Sequence, residues 1–189
     1  MSALTNNPGG IVLLRVDRAA STHTRHPRHR HAPLDLKYIQ AALSEAGHRD
    51  VSIVDGWLRP WSTDVVLKDL LQHQPQIVVI RAMPWCGTEA VALARGLKSR
   101  GVITLAMGPF VHPANSDWHQ NRDAFDVSVC GEGEQAVAEA LLRLRDGAHL
   151  AQVRADFIDA LARMWCARAA VPTCGCERLR WWWMRSKDF

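Results

Sequence analysis

Five short runs of consecutive apolar residues, each followed by a stretch with helical spacing, constrain this chain more than any other feature. The runs are Ile11-Val12-Leu13-Leu14-Arg15-Val16, Val51-Ser52-Ile53-Val54-Asp55, Gln76-Ile77-Val78-Val79-Ile80, Val102-Ile103-Thr104-Leu105-Ala106 and Phe125-Asp126-Val127-Ser128-Val129. They are short, rich in β-branched residues and bounded by Gly, Pro or charged residues, so they read as strands. After the first, Leu34, Leu36, Ile39, Ala42 and Leu43 recur at helix spacing between Pro33 and Gly47. A second helix is predicted over 63–73, with Ser62 as its N-cap and Pro75 beyond its end. Residues 87–100 read as a third helix ended by Gly101. Residues 113–121 read as a weaker helix or loop, and 134–145 as a helix ended by Gly147.

The runs are apolar throughout rather than alternating, as expected where both faces of a sheet are covered. Strands alternating with helices imply right-handed βαβ crossovers and a doubly wound parallel sheet. The strand order expected is 2-1-3-4-5. Ligands of such sheets sit at the carboxyl ends of the strands. The loops after strands one, three, four and five are therefore the ones to weigh.

Composition narrows the function classes. The 189 residues, 48% hydrophobic and 22% charged, suffice for one good core. No apolar run approaches the roughly 18–20 residues of a membrane span. Residues 1–10 lack the charged start and apolar stretch of a secretion signal, so a cytoplasmic protein is expected. Five cysteines, Cys86, Cys130, Cys166, Cys174 and Cys176, are odd in number and irregularly spaced, which argues against a disulfide framework. Cys86 and Cys130 read as small buried or loop residues. The net charge of +4 is carried by two segments. Residues 15–30 hold five Arg against one Asp, and residues 154–189 hold seven Lys or Arg against four acids. The centre is close to neutral, so no nucleic-acid-binding face belongs to the core domain. No membrane contact is expected either. The organisation expected is a tail over 1–10, an α/β domain over 11–147, and a helical or irregular C-terminal segment over 148–189 that is foreign to the domain.

One turn invites a familiar reading. Gly131, Gly133 and Ala136 match G-x-G-x-x-A, the dinucleotide fingerprint, between a strand and a helix. The unit is the last of the sheet, not the first, and no later strand supplies a ribose-binding acid. Glu132 and Glu134 would also face a pyrophosphate that favours positive potential. Taken structurally, the glycines permit a tight turn and the acids suit a helix N-terminus.

Several segments, in order, resemble the cobalamin-binding domain that precedes the catalytic half of many radical SAM proteins. That family carries a G-E-G-E turn after its last strand, here Asp126-Val-Ser-Val-Cys-Gly-Glu-Gly-Glu134. A Gly-Gly-Pro-like turn follows its fourth strand, here Met107-Gly108-Pro109-Phe110-Val111-His112. Its first helix often begins Pro-Leu-Gly-Leu-x-Tyr-Leu, here Pro33-Leu34-Asp35-Leu36-Lys37-Tyr38-Ile39, with Asp35 in place of Gly. Gly47-His48, the strand-ending Asp55 and the Pro75-Gln76-Ile77-Val78 entry fit as well, so the likeness spans about residues 11–147. It implies a flavodoxin-like or Rossmann-like fold and a cobalamin-binding module. In such a module the corrin lies over Gly-containing loops, and a slot between sheet and helix takes the nucleotide tail. The contacts expected are Met83, Pro84, Trp85, Cys86 and Gly87 after strand three. Gly108, Pro109, Phe110, Val111 and His112 follow strand four, and Gly131, Glu132, Gly133 and Glu134 follow strand five. A bulky residue at Gly108 is expected to clash with the ring and spare the fold.

Departures from the wider cobalamin pattern matter. The Asp-x-His-x-x-Gly sequence that supplies a cobalt-ligating His is absent, because Asp17 is followed by Arg18 and Ala19. His112 is expected to be an ordinary loop residue, and no protein imidazole is assigned to cobalt. The Cys-x-x-x-Cys-x-x-Cys motif of a radical SAM cluster is also absent, since Cys166, Cys174 and Cys176 have other spacings. No catalytic residue is assigned. The chain is expected to serve as an accessory module for a radical SAM catalytic domain or subunit. Two alternatives stand beside this one. The first is a degenerate relative that binds no cobalamin and serves protein–protein contact. The second is a metal- or anion-binding protein using His23-Thr-Arg-His-Pro-Arg-His-Arg-His31, with four His in nine residues. The interleaved Arg residues oppose a cation there.

Overall fold

The computed structural model describes residues 10–16, 32–56, 62–130 and 134–153. Five strands form one sheet: β1 (Ile11–Val16), β2 (Val51–Asp55), β3 (Ile77–Ala82), β4 (Ile103–Met107) and β5 (Val127–Ser128). Their order is β2-β1-β3-β4-β5, and every pairing is parallel. The flavodoxin-like α/β arrangement expected from the alternation is therefore the one observed. The helices are α1 (Leu34–Glu45), α2 (Thr63–Gln72), α3 (Gly87–Lys98), α4 (Ser116–Asn121) and α5 (Glu134–Arg145). A 3-10 turn over Pro84–Cys86 precedes α3, and another over Arg122–Ala124 follows α4.

Side chains alternate across the strands and divide the core into two layers. Val12, Leu14, Val16, Val78, Ile80, Ala82 and Ala106 face one side, with α2 and α3 packed over them. Ile11, Leu13, Ile77, Val79, Leu105 and Met107 face the other, against Leu36, Ile39 and Leu43 of α1 and Val137, Leu141 and Leu144 of α5. Beyond Gly147 the chain stays with this second layer. Ala148 and Leu150 pack against it, and Val153 is fully buried in it.

Local signals act where expected. Ser62 caps α2, its hydroxyl accepting from the Val65 N–H at 3.3 Å. Gly47 ends α1 at φ +91°. Pro33 differs from its predicted first-turn place: it is the N-cap itself and offers no side-chain bond. Strand β5 is shorter than its apolar run. Its ladder is closed by the Asp126 N–H to the Thr104 carbonyl at 2.9 Å and the Val129 N–H to the Ala106 carbonyl at 2.8 Å. Phe125, expected within the strand, instead inserts its ring into the α2/α3 layer. Among the described residues no helix is long and apolar enough to cross a membrane.

Candidate functional site at the carboxyl rim

Two loops of the carboxyl rim are described in full. After β3, Met83 is extended and leads into the Pro84–Cys86 turn, which the Cys86 N–H closes on the Met83 carbonyl at 2.9 Å. After β4, Gly108 turns the chain at φ +95° and its carbonyl accepts from the Val111 N–H at 2.9 Å. The Phe110 N–H donates to the Ala82 carbonyl at 3.1 Å, which ties the second loop to the end of β3. Asn115 fixes the same loop from below, its side-chain amide donating to the Phe110 carbonyl at 2.9 Å.

These bonds sort the expected contact residues into two groups. Pro84, Trp85, Pro109 and His112 are exposed on the rim, with Met83 and Gly108 half-buried beside them. Trp85 is 61% exposed, so a large flat surface stands in solvent where a ligand would arrive. Cys86, Gly87, Phe110 and Val111 are buried, and the side chains of Cys86, Phe110 and Val111 belong to the α2/α3 layer. Phe110 meets Phe125 edge to face, with ring centroids 6.5 Å apart. Gly131, Glu132 and Gly133 lie outside the described residues, and Glu134 opens α5.

The two described glycines answer to the fold first. A Cβ on Gly87 would run into the Phe110 ring. One on Gly108 would stand 2.8 Å from the Ala82 carbonyl oxygen, at a φ that L residues rarely adopt. The expectation that bulk at Gly108 would spare the fold is therefore corrected: a side chain there strains the β3–β4 junction before it meets any ligand.

Two groups on the rim could concern a metal. The Nδ1 of His112 accepts a hydrogen bond from the Ala114 N–H at 3.1 Å. A ring nitrogen that accepts carries no proton, so the neutral ring is assigned its proton on Nε2. A metal-bound imidazole has the reverse arrangement, with its second nitrogen donating. At the end of β5, burial raises the Cys130 thiol above its usual 9.0, which keeps it protonated at neutral pH. Among the described residues no group of three or more potential ligands could hold a metal ion. The His23–His31 segment lies outside them.

Behind the rim, on the α1 side, the sheet carries charges that sequence reading did not connect. Arg15 and Arg81 are register partners at the ends of β1 and β3. The Nε of Arg81 donates to Oδ2 of Asp35 in the first turn of α1 at 2.7 Å. Arg15 pairs with Asp55, its register partner in β2, at 3.7 Å. The other Asp35 oxygen accepts from the Leu36 N–H at 3.0 Å. Like charges on adjacent strands are tolerated because each has its own carboxylate. The legible signal was their shared position: Arg15 and Arg81 follow Leu13 and Val79 on one face of their strands.

A protein-family model described as the B12 binding domain matches residues 22–141, more than half of the chain. No curated protein matches. The matched stretch starts upstream of α1 and ends within α5, so it takes in four strands and both described rim loops. Strand β1, just before it, completes the sheet by pairing with β2 and β3. By this match, laid over a five-stranded parallel sheet of the expected order, the chain belongs to the B12 binding domain family.

Proposed function

We propose that this chain is a cobalamin-holding module that serves a radical SAM catalytic domain or subunit of the methyltransferase type. The observation that carries the cobalamin reading is the rim itself: in a chain of this family, Met83, Pro84, Trp85, Pro109 and His112 stand on neighbouring loops at the carboxyl ends of β3 and β4. Their mixture of flat apolar surface and a polar tip fits one face of a corrin with its amide fringe. Gly108 brings backbone to the same place. Bound cobalamin would supply a cobalt centre able to carry a one-carbon group. His112 would meet the amide fringe rather than the cobalt, given its assigned tautomer. The radical SAM partner is supported by the ordered likeness from Pro33 to Glu134.

The test is direct. The chain is incubated with hydroxocobalamin and passed through a gel-filtration column. Cobalamin absorbance that elutes with the protein supports the reading, and colour confined to the small-molecule fractions overturns it. A second reading, a relative without cobalamin that serves protein contact, is favoured by one observation. Leu34, Tyr38, Val65 and Trp85, all more than 60% exposed, lie in the first two turns of α1, in the first turn of α2 and just before α3. The same column run separates the two.

A further inference from the structure

Past Gly147 the chain enters a helix. His149 caps it: its Nδ1 accepts from the Ala151 N–H at 3.3 Å, and its carbonyl accepts from the Val153 N–H at 3.1 Å. Residues 150–153 are helical where the described part ends. In that first turn Leu150 packs against the α1/α5 layer and Val153 is fully buried in it. The residues that follow lie outside the described part, but their sequence keeps the period. Leu150, Val153, Phe157, Leu161 and Met164 recur at steps of three and four, and no Gly or Pro interrupts residues 148–164. Asp156, Asp159 and Arg163 fall away from that stripe.

Helix α1 presents a matching surface. Its inner face, Leu36, Ile39 and Leu43, is buried against the sheet. Its outer face carries Leu34 and Tyr38, 63% and 65% exposed, one turn apart and followed by exposed Ala41 and Ala42. Small residues below two large ones make a strip on which a second helix packs closely. Both α1 and α5 descend from the carboxyl rim, because each follows a strand of a parallel sheet. Gly147 therefore turns the chain at the opposite end of the sheet, and a helix leaving Val153 that returns toward the rim runs antiparallel to α1. The eleven steps from Val153 to Met164 cover about 16 Å, and the 12 residues of α1 about 18 Å, at the helical rise of about 1.5 Å. Leu161 then comes level with Tyr38, and Met164 with Leu34.

We infer that residues 154–164 continue the helix begun at Leu150 and lie along the outer face of α1, with Leu161 on Tyr38 and Met164 on Leu34. The exposed strip of α1 is thus a seat for the chain's own segment rather than a contact site for a separate protein. The segment is tethered at Val153, so it meets the strip at the high effective concentration of an intramolecular contact, and a separate partner would have to displace it. The seat faces away from the sheet and leaves the carboxyl rim open. The inference stands whether or not the rim holds cobalamin.

Hydrogen exchange on the full chain, read by mass spectrometry of its peptides, tests the seat. Amides of residues 154–164 should exchange about tenfold or more slower than unstructured chain. Leu34→Glu with Tyr38→Glu, both at exposed positions, should abolish most of that protection while β1 and β3 stay protected, which shows that the domain is still folded. Val65→Glu, at an equally exposed position on α2 in the other layer, should leave the protection unchanged. Tyr38 is the sole tyrosine of the chain, so nitration by tetranitromethane reads the contact from the other side. Leu161→Asp with Met164→Asp should speed nitration of Tyr38 about threefold or more. Unprotected amides over 154–164 in the wild type, or protection that survives the α1 double variant, would overturn the inference. A wild-type chain that light scattering shows to be a dimer, with both readouts rising and falling with protein concentration, would also overturn it and place a second copy on the strip.

Discussion

The ring of Phe110 occupies the space that a side chain on Gly87 would need. The ring cannot easily withdraw, because it packs edge to face on Phe125 and is 1% exposed. Gly87→Ala should therefore destabilise the domain by about 1–3 kcal/mol through overpacking. Phe110→Leu in the same chain should make the two changes non-additive, since the smaller residue vacates part of that space. Urea denaturation midpoints for the two single variants and the double variant check this. Simple additivity would show that the ring moves freely.

At the amino end of β4 and β5, Asp126 accepts from the Thr104 N–H at 2.9 Å and the Thr104 hydroxyl at 3.1 Å, and pairs with Lys98 at 3.0 Å. Its side chain is only 12% exposed. Asp126→Ala would leave a mostly buried N–H without its acceptor, at a cost of about 1–3 kcal/mol. The exposed pair of Arg143 and Glu139 on α5 is a matched control. Glu139→Ala should cost no more than about 0.5 kcal/mol. Thermal unfolding of both variants should show the contrast.

Much of this fold was legible because its information is local. Each apolar run sits beside its own helix stop or cap, as with Ser62 and Gly47, and crossover handedness narrows the sheet to a doubly wound parallel one, of which 2-1-3-4-5 is one common order. The charged pairs behind the rim were not legible, because Arg81 and Asp35 are 46 residues apart and meet only once β3 and α1 are stacked. Taken singly, Arg15 and Arg81 read as polar ends of apolar runs. Sequence also could not divide the rim loops into ligand-facing and core-facing residues. Nothing in Met107-Gly108-Pro109-Phe110-Val111-His112 says that Phe110 and Val111 turn inward while Pro109 and His112 turn out. That sorting is set by the Phe110 N–H bond to Ala82 on a neighbouring strand.

If the rim holds cobalamin, Trp85 and His112 should respond differently. Trp85→Ala should leave stability within about 0.5 kcal/mol, as for an exposed residue, while weakening cobalamin binding about tenfold through lost contact area. His112→Ala should shift the absorption spectrum of the bound cofactor little, because the Ala114 N–H bond sets its tautomer against coordination. Titration of both variants with hydroxocobalamin, followed by absorbance, reads the two effects. A large spectral change in His112→Ala would place an imidazole on cobalt after all.

Cys130 gives the domain a dependence on alkaline pH. Burial raises its thiol above 9.0, so the unfolded chain ionises first as pH climbs. The stabilisation it brings is fully present below about pH 9 and is lost as pH rises through the folded-state value. Cys130→Ser should remove that part of the alkaline decline, and iodoacetamide should label wild-type Cys130 more slowly at neutral pH than a free thiol. Denaturation midpoints across pH 7–11 with and without the substitution test the first point, and mass spectrometry of the alkylated chain tests the second.

Val153 has a practical meaning for anyone who would excise this module or graft it onto another protein. The visible punctuation of the chain is Gly147, where α5 stops, and a boundary drawn there would look natural on paper. Yet the second layer of the core is plugged from outside that boundary, by a valine with no exposed surface. A graft cut at the punctuation would carry a hole and an open apolar seam into its new host. One that runs through Val153 would carry its own stopper.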